Sequence, residues 1–200
     1  MKKTLLALAA AVMIAMPAYA ATTQTIAVSA SVSSTLDMSM QIFERAAGTD
    51  LPTGAAIASM PYGQLVNNGF SALVGAKNYA VYLSTNASSR KYAITASMPA
   101  LTAGATTLPN AMGMTVVSAK DVANADIVGD TLDTIQSAVM TNNEIYRSND
   151  GGTGALIELW YGIVGYGAGG ALPFTGFAPI QLDQAAGSYA STITYTIALV

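Results

Sequence analysis

The stretch Thr25-Ile26-Ala27-Val28-Ser29-Ala30-Ser31-Val32 decides how the rest of this sequence is interpreted. In an extended strand, side chains that alternate with a period of two project from opposite faces. One face would carry Ile26, Val28, Ala30 and Val32, and the other face small or polar residues. Such a strand can pair as an ordinary first strand within its own sheet, or, because it is uncharged and has one apolar face, it can add to the sheet of a neighbouring copy.

The residues before this stretch have the pattern of a secretory signal peptide. A positively charged start, Lys2-Lys3, precedes an apolar run over residues 5–16, and Ala18-Tyr19-Ala20 matches the cleavage motif. The apolar run is shorter than the roughly 20 residues that a spanning helix needs. We therefore predict cleavage between Ala20 and Ala21, which assigns residues 1–20 to a signal peptide, 21–33 to the N-terminal strand and 34–200 to one domain.

Several later segments alternate between apolar and polar residues and are bounded by turn signals, which is typical of strands. In the first, Leu36, Met38, Met40 and Ile42 share one face. Residues 79–83 and 92–96 are separated by a polar turn and predict a hairpin. The remaining predicted strands are residues 114–118, residues 156–164, which are rich in β-forming residues, and residues 192–199, the last with an inward-facing set of Ile193, Tyr195, Ile197 and Leu199.

Two segments lack this pattern. Residues 98–110 contain two prolines and a glycine and predict a loop, whereas residues 121–137 fit neither period and are compatible with one short helix. Many short strands and little helix signal together predict an all-β chain folded as an antiparallel β-sandwich.

The composition argues against several classes of function. Removing Lys2 and Lys3 from the eight basic residues leaves six against eleven acidic ones, so the mature net charge is about −5 and nucleic acid is not an expected partner. The sequence contains no histidine and no cysteine, which removes the commonest general base, the thiolate nucleophile, the usual zinc ligands and any disulfide. We predict no enzymatic activity, no cofactor and no metal site.

Three local features allow a functional and a structural interpretation. Asn149-Asp150-Gly151-Gly152 lacks the spacing of an EF-hand loop and is interpreted as a turn, and the glycine-rich residues 165–170 lack the lysine of a phosphate-binding loop. Asp121, Asp126, Asp130 and Asp133 are interpreted as solvated loop acids. Trp160 and Tyr161 could form a sugar-stacking patch, but a lone tryptophan in an apolar strand is more often part of the core.

The order of these features resembles the major subunits of alpha-class chaperone–usher fimbriae, the family that includes the colonisation factor antigen I pilin. The resemblance covers the start, Ile26-Ala27-Val28-Ser29-Ala30-Ser31-Val32, followed by Leu36-Asp37-Met38 and Leu51-Pro52. It also covers a polar turn with basic residues, 85–91, and the closing element Ala186-Gly187-Ser188-Tyr189 before the final strand. Where the family has Asp-Pro after its donor strand, this sequence has Ser33-Ser34.

The resemblance implies an incomplete immunoglobulin-like sandwich that lacks one strand and receives it from a neighbouring subunit. The donor residues would be Ile26, Val28, Ala30 and Val32, and the expected acceptor groove is formed by Leu36, Met38, Met40, Ile193, Tyr195, Ile197 and Leu199. The implied partners are identical subunits, a periplasmic chaperone, an outer-membrane usher and a tip adhesin, and the implied location is a fimbria on the cell surface. A secreted β-sandwich adhesin or carbohydrate-binding module is the alternative.

Overall fold

The computed structural model describes residues 36–45, 52–67, 69, 72–75, 77–108, 112–134, 139–163 and 180–200 of the 200-residue chain. These residues form strands and connecting loops, without a helix, and thus without one that is long and apolar enough to cross a membrane. The chain divides into Met1–Val32 and Ser33–Val200, and all described residues belong to the second unit.

In chain order, the strands are β1 (Asp37–Arg45), β2 (Pro52–Ile57), β3 (Val66–Asn67), β4 (Ala72–Val74), β5 (Asn78–Asn86), β6 (Tyr92–Met98), β7 (Thr102–Ala103), β8 (Thr106–Thr107), β9 (Met112–Lys120), β10 (Thr131–Leu132), β11 (Met140–Arg147), β12 (Leu156–Ile163), β13 (Ile180–Gln181) and β14 (Thr194–Leu199). A five-stranded sheet has the order β2-β1-β5-β12-β9, and a four-stranded sheet has the order β10-β11-β6-β14. Every pairing in them is antiparallel.

One hydrophobic core lies between these two sheets. Alternate residues of β5 and β12 project into it from the five-stranded sheet, and alternate residues of β6 do so from the four-stranded sheet. The Thr85 hydroxyl on β5 lies 2.6 Å from the Tyr92 hydroxyl on β6, so a hydrogen bond joins the two sheets. The all-β, antiparallel sandwich expected from the sequence is therefore the observed architecture. The fully buried side chains at its centre include Tyr79, Leu83, Ile94, Met98, Ile157, Leu159 and Tyr161.

A smaller apolar cluster lies next to the end of β12. It contains Leu108, Ile163 and Ile180, and half-buried side chains including Leu65 and Tyr189 pack against it. The short sheet β13-β4-β3 and the hairpin β7-β8 belong to this region, and the bridge between Thr102 and Ala190 connects the hairpin to the segment before β14. The expectation that residues 98–110 form only a loop is therefore wrong for the residues that the hairpin occupies.

The predicted hairpin of residues 79–83 and 92–96 is also wrong. β5 pairs with β1 and β12, whereas β6 pairs with β11 and β14 in the other sheet. The connection crosses between the sheets because Ser88 and Ser89 adopt positive φ values of 50° and 62° and Ala87 is fully buried below them. Alternation identified both strands, but it does not encode which strand pairs with which.

The segment 121–137 contains no helix within its described residues, 121–134. The Asp121 carboxylate instead accepts hydrogen bonds from the backbone N–H groups of Ala123 and Ala125, at 2.8 and 2.9 Å, which folds the chain into a turn. β10 follows and pairs with β11, a strand that the sequence pattern did not reveal. Asn142 has a positive φ of 51° in β11 and the register shifts there, so the strand does not show a clean two-residue period.

Candidate functional site

Strand β14 forms one edge of the four-stranded sheet. It pairs along its length with β6, with Tyr195 opposite Ala96 and Ile197 opposite Ile94, and none of the other described strands pairs with its second side. An edge strand presents unpaired N–H and C=O groups to which a further strand can add. The order of the sheet therefore leaves one place for an additional strand beside β14.

The side chains of β14 alternate as the sequence predicted. Tyr195 and Ile197 are half-buried and pack against the core, whereas Thr194, Thr196 and Ala198 on the other face are exposed. Leu199 continues the inward set but remains 43% exposed. The inward face of β14 is thus apolar and only partly covered.

Strand β1 of the five-stranded sheet also carries apolar side chains that face the core. Its register with β5 puts Met38, Met40 and Ile42 on the core-facing side, opposite Thr85, Leu83 and Val81. Leu83 is fully buried, but the neighbouring Met40 is 51% exposed. A methionine that faces the core and yet remains this exposed marks a part of the sandwich where covering side chains are lacking.

A cavity of about 1020 Å³ opens between these strands, and we call it the edge groove. None of its lining residues carries a charge. An uncharged lining favours an uncharged occupant, because burying a charge there would cost several kcal/mol. The lining comes from β1 (Met40, Ile42), from β14 and the residue before it (Ile193, Tyr195), from residues 58–65 and 184–192, and from Leu73, Val81, Leu101, Leu108, Met112 and Ile163.

Of the seven expected acceptor residues, the structure brings Met40, Ile193 and Tyr195 into the edge groove. Leu36, Met38 and Ile197 pack half-buried against the same core, and Leu199 lies at the end of β14, outside the lining. The expected donor residues Ile26, Val28, Ala30 and Val32, the cleavage residues Ala20 and Ala21, and the segment Ser33-Ser34 lie outside the described residues.

Sequence reasoning missed the contribution of the loop 58–65. The Tyr79 hydroxyl donates a 2.5 Å hydrogen bond to the Pro61 carbonyl, and the ring of Tyr62 packs edge-on against Tyr79 with centroids 5.0 Å apart. The Tyr62 hydroxyl is buried and has no hydrogen-bond partner among the described residues. An aromatic residue between Pro61 and Gly63 was the only available signal, and a turn signal alone does not show that the ring faces the core.

The Tyr161 and Tyr195 hydroxyls form a hydrogen bond across the sandwich, from β12 to β14. Burial raises the pKa of Tyr161, Tyr195 and Tyr62, and the proximity of these phenols to one another adds to the shift for Tyr62 and Tyr161. All three phenols therefore remain neutral at physiological pH. Of these three, Tyr62 and Tyr195 line the groove and provide it with hydroxyl groups but no charge.

The side chains of Trp160 and Tyr161 project from opposite faces of β12. Tyr161 is fully buried in the core, while Trp160 lies half-buried on the outer face of the five-stranded sheet. There the Trp160 Nε1 donates a 2.6 Å hydrogen bond to Glu158, and the Arg45 guanidinium lies 3.5 Å from the Trp160 ring centroid. Because the two side chains project from opposite faces of one strand, they do not form a common sugar-stacking patch. The expectation that Trp160 belongs to the core is also wrong.

The aspartates and the glycine turn have local structural roles. The Gly152 N–H donates a 3.0 Å hydrogen bond to the Asn149 carbonyl, which confirms the turn. Asp130 accepts hydrogen bonds from the Tyr146 hydroxyl and, at 2.7 Å, from the Asn149 backbone N–H. Asp126 forms an ion pair of 2.7 Å with Lys120, so these acids stabilise loops.

Comparison with known proteins finds no family model, no curated protein and no solved structure that matches this chain.

Proposed function

We propose that this protein is the structural subunit of a cell-surface fimbria of the alpha-class chaperone–usher type. Residues 26–32 of one subunit insert into the edge groove of the next and add a strand beside β14. The observation that supports this proposal most directly is the uncharged groove at the start of β14, a strand whose second side pairs with none of the described strands, together with Met40, which is 51% exposed on the core-facing side of β1.

The period and length of the donor stretch suit the edge strand β14. Four apolar side chains, at positions 26, 28, 30 and 32, correspond in number and spacing to the four inward positions 193, 195, 197 and 199. Seven extended residues span about 23 Å and the six residues of β14 about 20 Å, at roughly 3.3 Å per residue. The inserted strand would cover the exposed part of Met40 and complete the immunoglobulin-like sandwich.

The energetics of such a joint favour durable assembly. Burying Ile26, Val28 and Val32 contributes roughly 1.5–3 kcal/mol each, or about 5–9 kcal/mol, and main-chain hydrogen bonds to β14 add to this. Withdrawing a strand that belongs to the fold means partial unfolding, which is slow. A chain without cysteine can form a lasting filament in this way.

The proposal includes export and assembly partners. Residues 1–20 direct export and are removed after Ala20, a periplasmic chaperone covers the edge groove of the free subunit, and an outer-membrane usher exchanges the chaperone for the donor strand. A tip adhesin ends the filament. Contacts between identical subunits are head-to-tail, and such contacts produce an open helical filament rather than a closed ring.

The decisive test compares two substitutions in the donor stretch, made in cells that assemble the filament. Val28→Asp puts a carboxylate on the inward face, where it would be buried without a partner, so we expect filaments to be absent from the cell surface. Ser29→Asp puts the same charge on the outward face and should leave filament number within about twofold of the unmodified protein. Electron microscopy counts the filaments, and immunoblotting confirms that both variants are exported.

Deletion of residues 21–32 is the second test, and the mature protein should then be exported but not polymerise. Normal filaments from the deletion, or from Val28→Asp, would refute the proposed assembly. A monomer that binds a glycan specifically and does not polymerise would instead support the secreted adhesin or carbohydrate-binding module.

A further inference from the structure

The Tyr62 hydroxyl is a polar group without a partner among the described residues. Tyr62 lines the edge groove, whose uncharged lining also includes Gln64, Gln184 and Ser191, and the described atoms around its buried hydroxyl form no hydrogen bond with it. A buried hydroxyl without a partner costs about 1–3 kcal/mol, so native proteins rarely retain one.

The loop that carries Tyr62 holds the ring firmly in this position. The neighbouring Pro61 carbonyl accepts a 2.5 Å hydrogen bond from the Tyr79 hydroxyl, and the Tyr62 ring packs edge-on against the Tyr79 ring. Tyr195 of β14 is close enough to affect the ionisation of Tyr62. The Tyr62 hydroxyl is therefore held near the edge strand where the additional strand is expected.

A strand that adds to β14 also has polar groups without a partner, on its main chain. Its backbone N–H and C=O groups alternate in direction, so half of them pair with β14 and the other half point away from it. Groups that point away into a groove that excludes water need a partner from a side chain. The inward side chains of residues 26–32 are all aliphatic and supply none, so the group that requires a partner is on the main chain.

Since the Tyr62 hydroxyl and the outer main-chain groups of the inserted strand both need a partner, we infer that Tyr62 is a positioning residue of the edge groove. Its hydroxyl donates a hydrogen bond to a main-chain carbonyl of the inserted segment 26–32 of a second copy. This inference rests on the proposed function and adds a polar contact to it. The contact fixes where the segment stops along β14, because only one register brings a carbonyl to the hydroxyl.

The test is Tyr62→Phe, which removes the hydroxyl and keeps the ring against Tyr79. The unassembled full-length chain should be as stable as the unmodified one, or more so, because the substitution removes a buried group without a partner. Filaments of the variant should dissociate about tenfold faster in denaturant, because the carbonyl of the inserted strand loses its donor. Urea unfolding of the monomer and the rate of monomer release from purified filaments measure the two effects.

Tyr82→Phe is the matched control. Tyr82 also loses only a hydroxyl, but its hydroxyl donates a 3.1 Å hydrogen bond to Glu158 and lies away from the groove lining. Its filaments should dissociate at the unmodified rate.

The possible outcomes separate this inference from the proposed function. If Tyr62→Phe filaments are as durable as unmodified ones, or if the monomer loses stability to the same extent as the filament, the hydroxyl does not contact the inserted strand and the inference fails while strand insertion stands. If Val28→Asp assembles normally, strand insertion itself fails, whatever Tyr62→Phe does.

Discussion

Gly152 shows how closely two loops of the sandwich pack. Its φ is +60°, and a Cβ atom placed on it would lie 2.2 Å from the carbonyl oxygen of Arg90. A side chain at this position therefore faces two separate penalties: the left-handed conformation and a clash with the backbone of the 87–91 turn. Gly104 has the same φ of +60° but has open space around the Cβ position.

The pair of glycines allows the two penalties to be measured separately. We expect Gly152→Ala to lower the free energy of unfolding by about 3 kcal/mol or more, because strain and clash add. Gly104→Ala should cost about 1 kcal/mol, from strain alone. Urea unfolding of both variants gives the values, and equal losses would contradict the close contact between Gly152 and Arg90.

The end of β5, the start of β6 and the segment before β12 meet at one polar group. The buried Thr85 hydroxyl accepts a 3.0 Å hydrogen bond from the Ala155 N–H and lies 2.6 Å from the Tyr92 hydroxyl. The Tyr92 hydroxyl also lies 3.0 Å from the Thr153 carbonyl. These contacts hold the two sheets together where the chain crosses between them, without a covalent bond.

Removing this hydroxyl should weaken the whole junction. Thr85→Val keeps the shape of the side chain but leaves the Ala155 N–H without its acceptor, and we expect a loss of about 1–3 kcal/mol in the free energy of unfolding. Thr196→Val, on the exposed face of β14, should change the free energy by less than about 0.5 kcal/mol. Thermal and urea unfolding measure both, and a neutral Thr85→Val would show that the crossing does not depend on this hydroxyl.

The same junction explains how much of the fold the sequence could predict. A high content of β-forming residues identified β12, and the two-residue period correctly identified β1, β5, β6 and β14, because alternation is a local property of each strand. It could not identify the sheet to which β5 and β6 belong, since pairing depends on contacts between distant residues such as Thr85 and Ala155. β11 was missed because its register shifts, as described above.

The candidate site was predictable to a similar extent. Alternation places Met40 and Tyr195 on inward faces, so two walls of the edge groove follow from local pattern. The loop 58–65, which also lines the groove, has no period at all, and its Tyr62 packs against Tyr79, whose hydroxyl binds the neighbouring Pro61 carbonyl. Loop positions that depend on one distant hydrogen bond leave no signal in the surrounding sequence.

Across the molecule, buried tyrosines are the groups that should control how stability depends on pH. Burial raises the pKa of Tyr79 and Tyr82 to about 12, with Glu44 and Glu158 respectively adding to the shift. Burial likewise raises the pKa of Tyr92 and Tyr146, and the hydrogen bond to Asp130 raises that of Tyr146 further. The sequence contains no histidine or cysteine, whose side chains would ordinarily titrate between about pH 6 and 9.

The sign of the dependence follows from which state retains the protons. The unfolded chain releases its phenolic protons near pH 10, whereas the folded chain keeps them to about pH 12 or beyond. The stability that these tyrosines contribute is therefore fully present below pH 10 and is lost as the pH rises through 12, at about 1.4 kcal/mol per pH unit for each retained proton. We expect the urea midpoint to be nearly constant from about pH 6 to 9 and to fall steeply above pH 10. Urea unfolding at a series of pH values measures the midpoint, and tyrosinate absorbance of the folded protein measures the ionisation of its tyrosines. A midpoint that falls between pH 6 and 9 would contradict the expected pH dependence. Tyrosines that ionise near pH 10 in the folded state would contradict the raised pKa values.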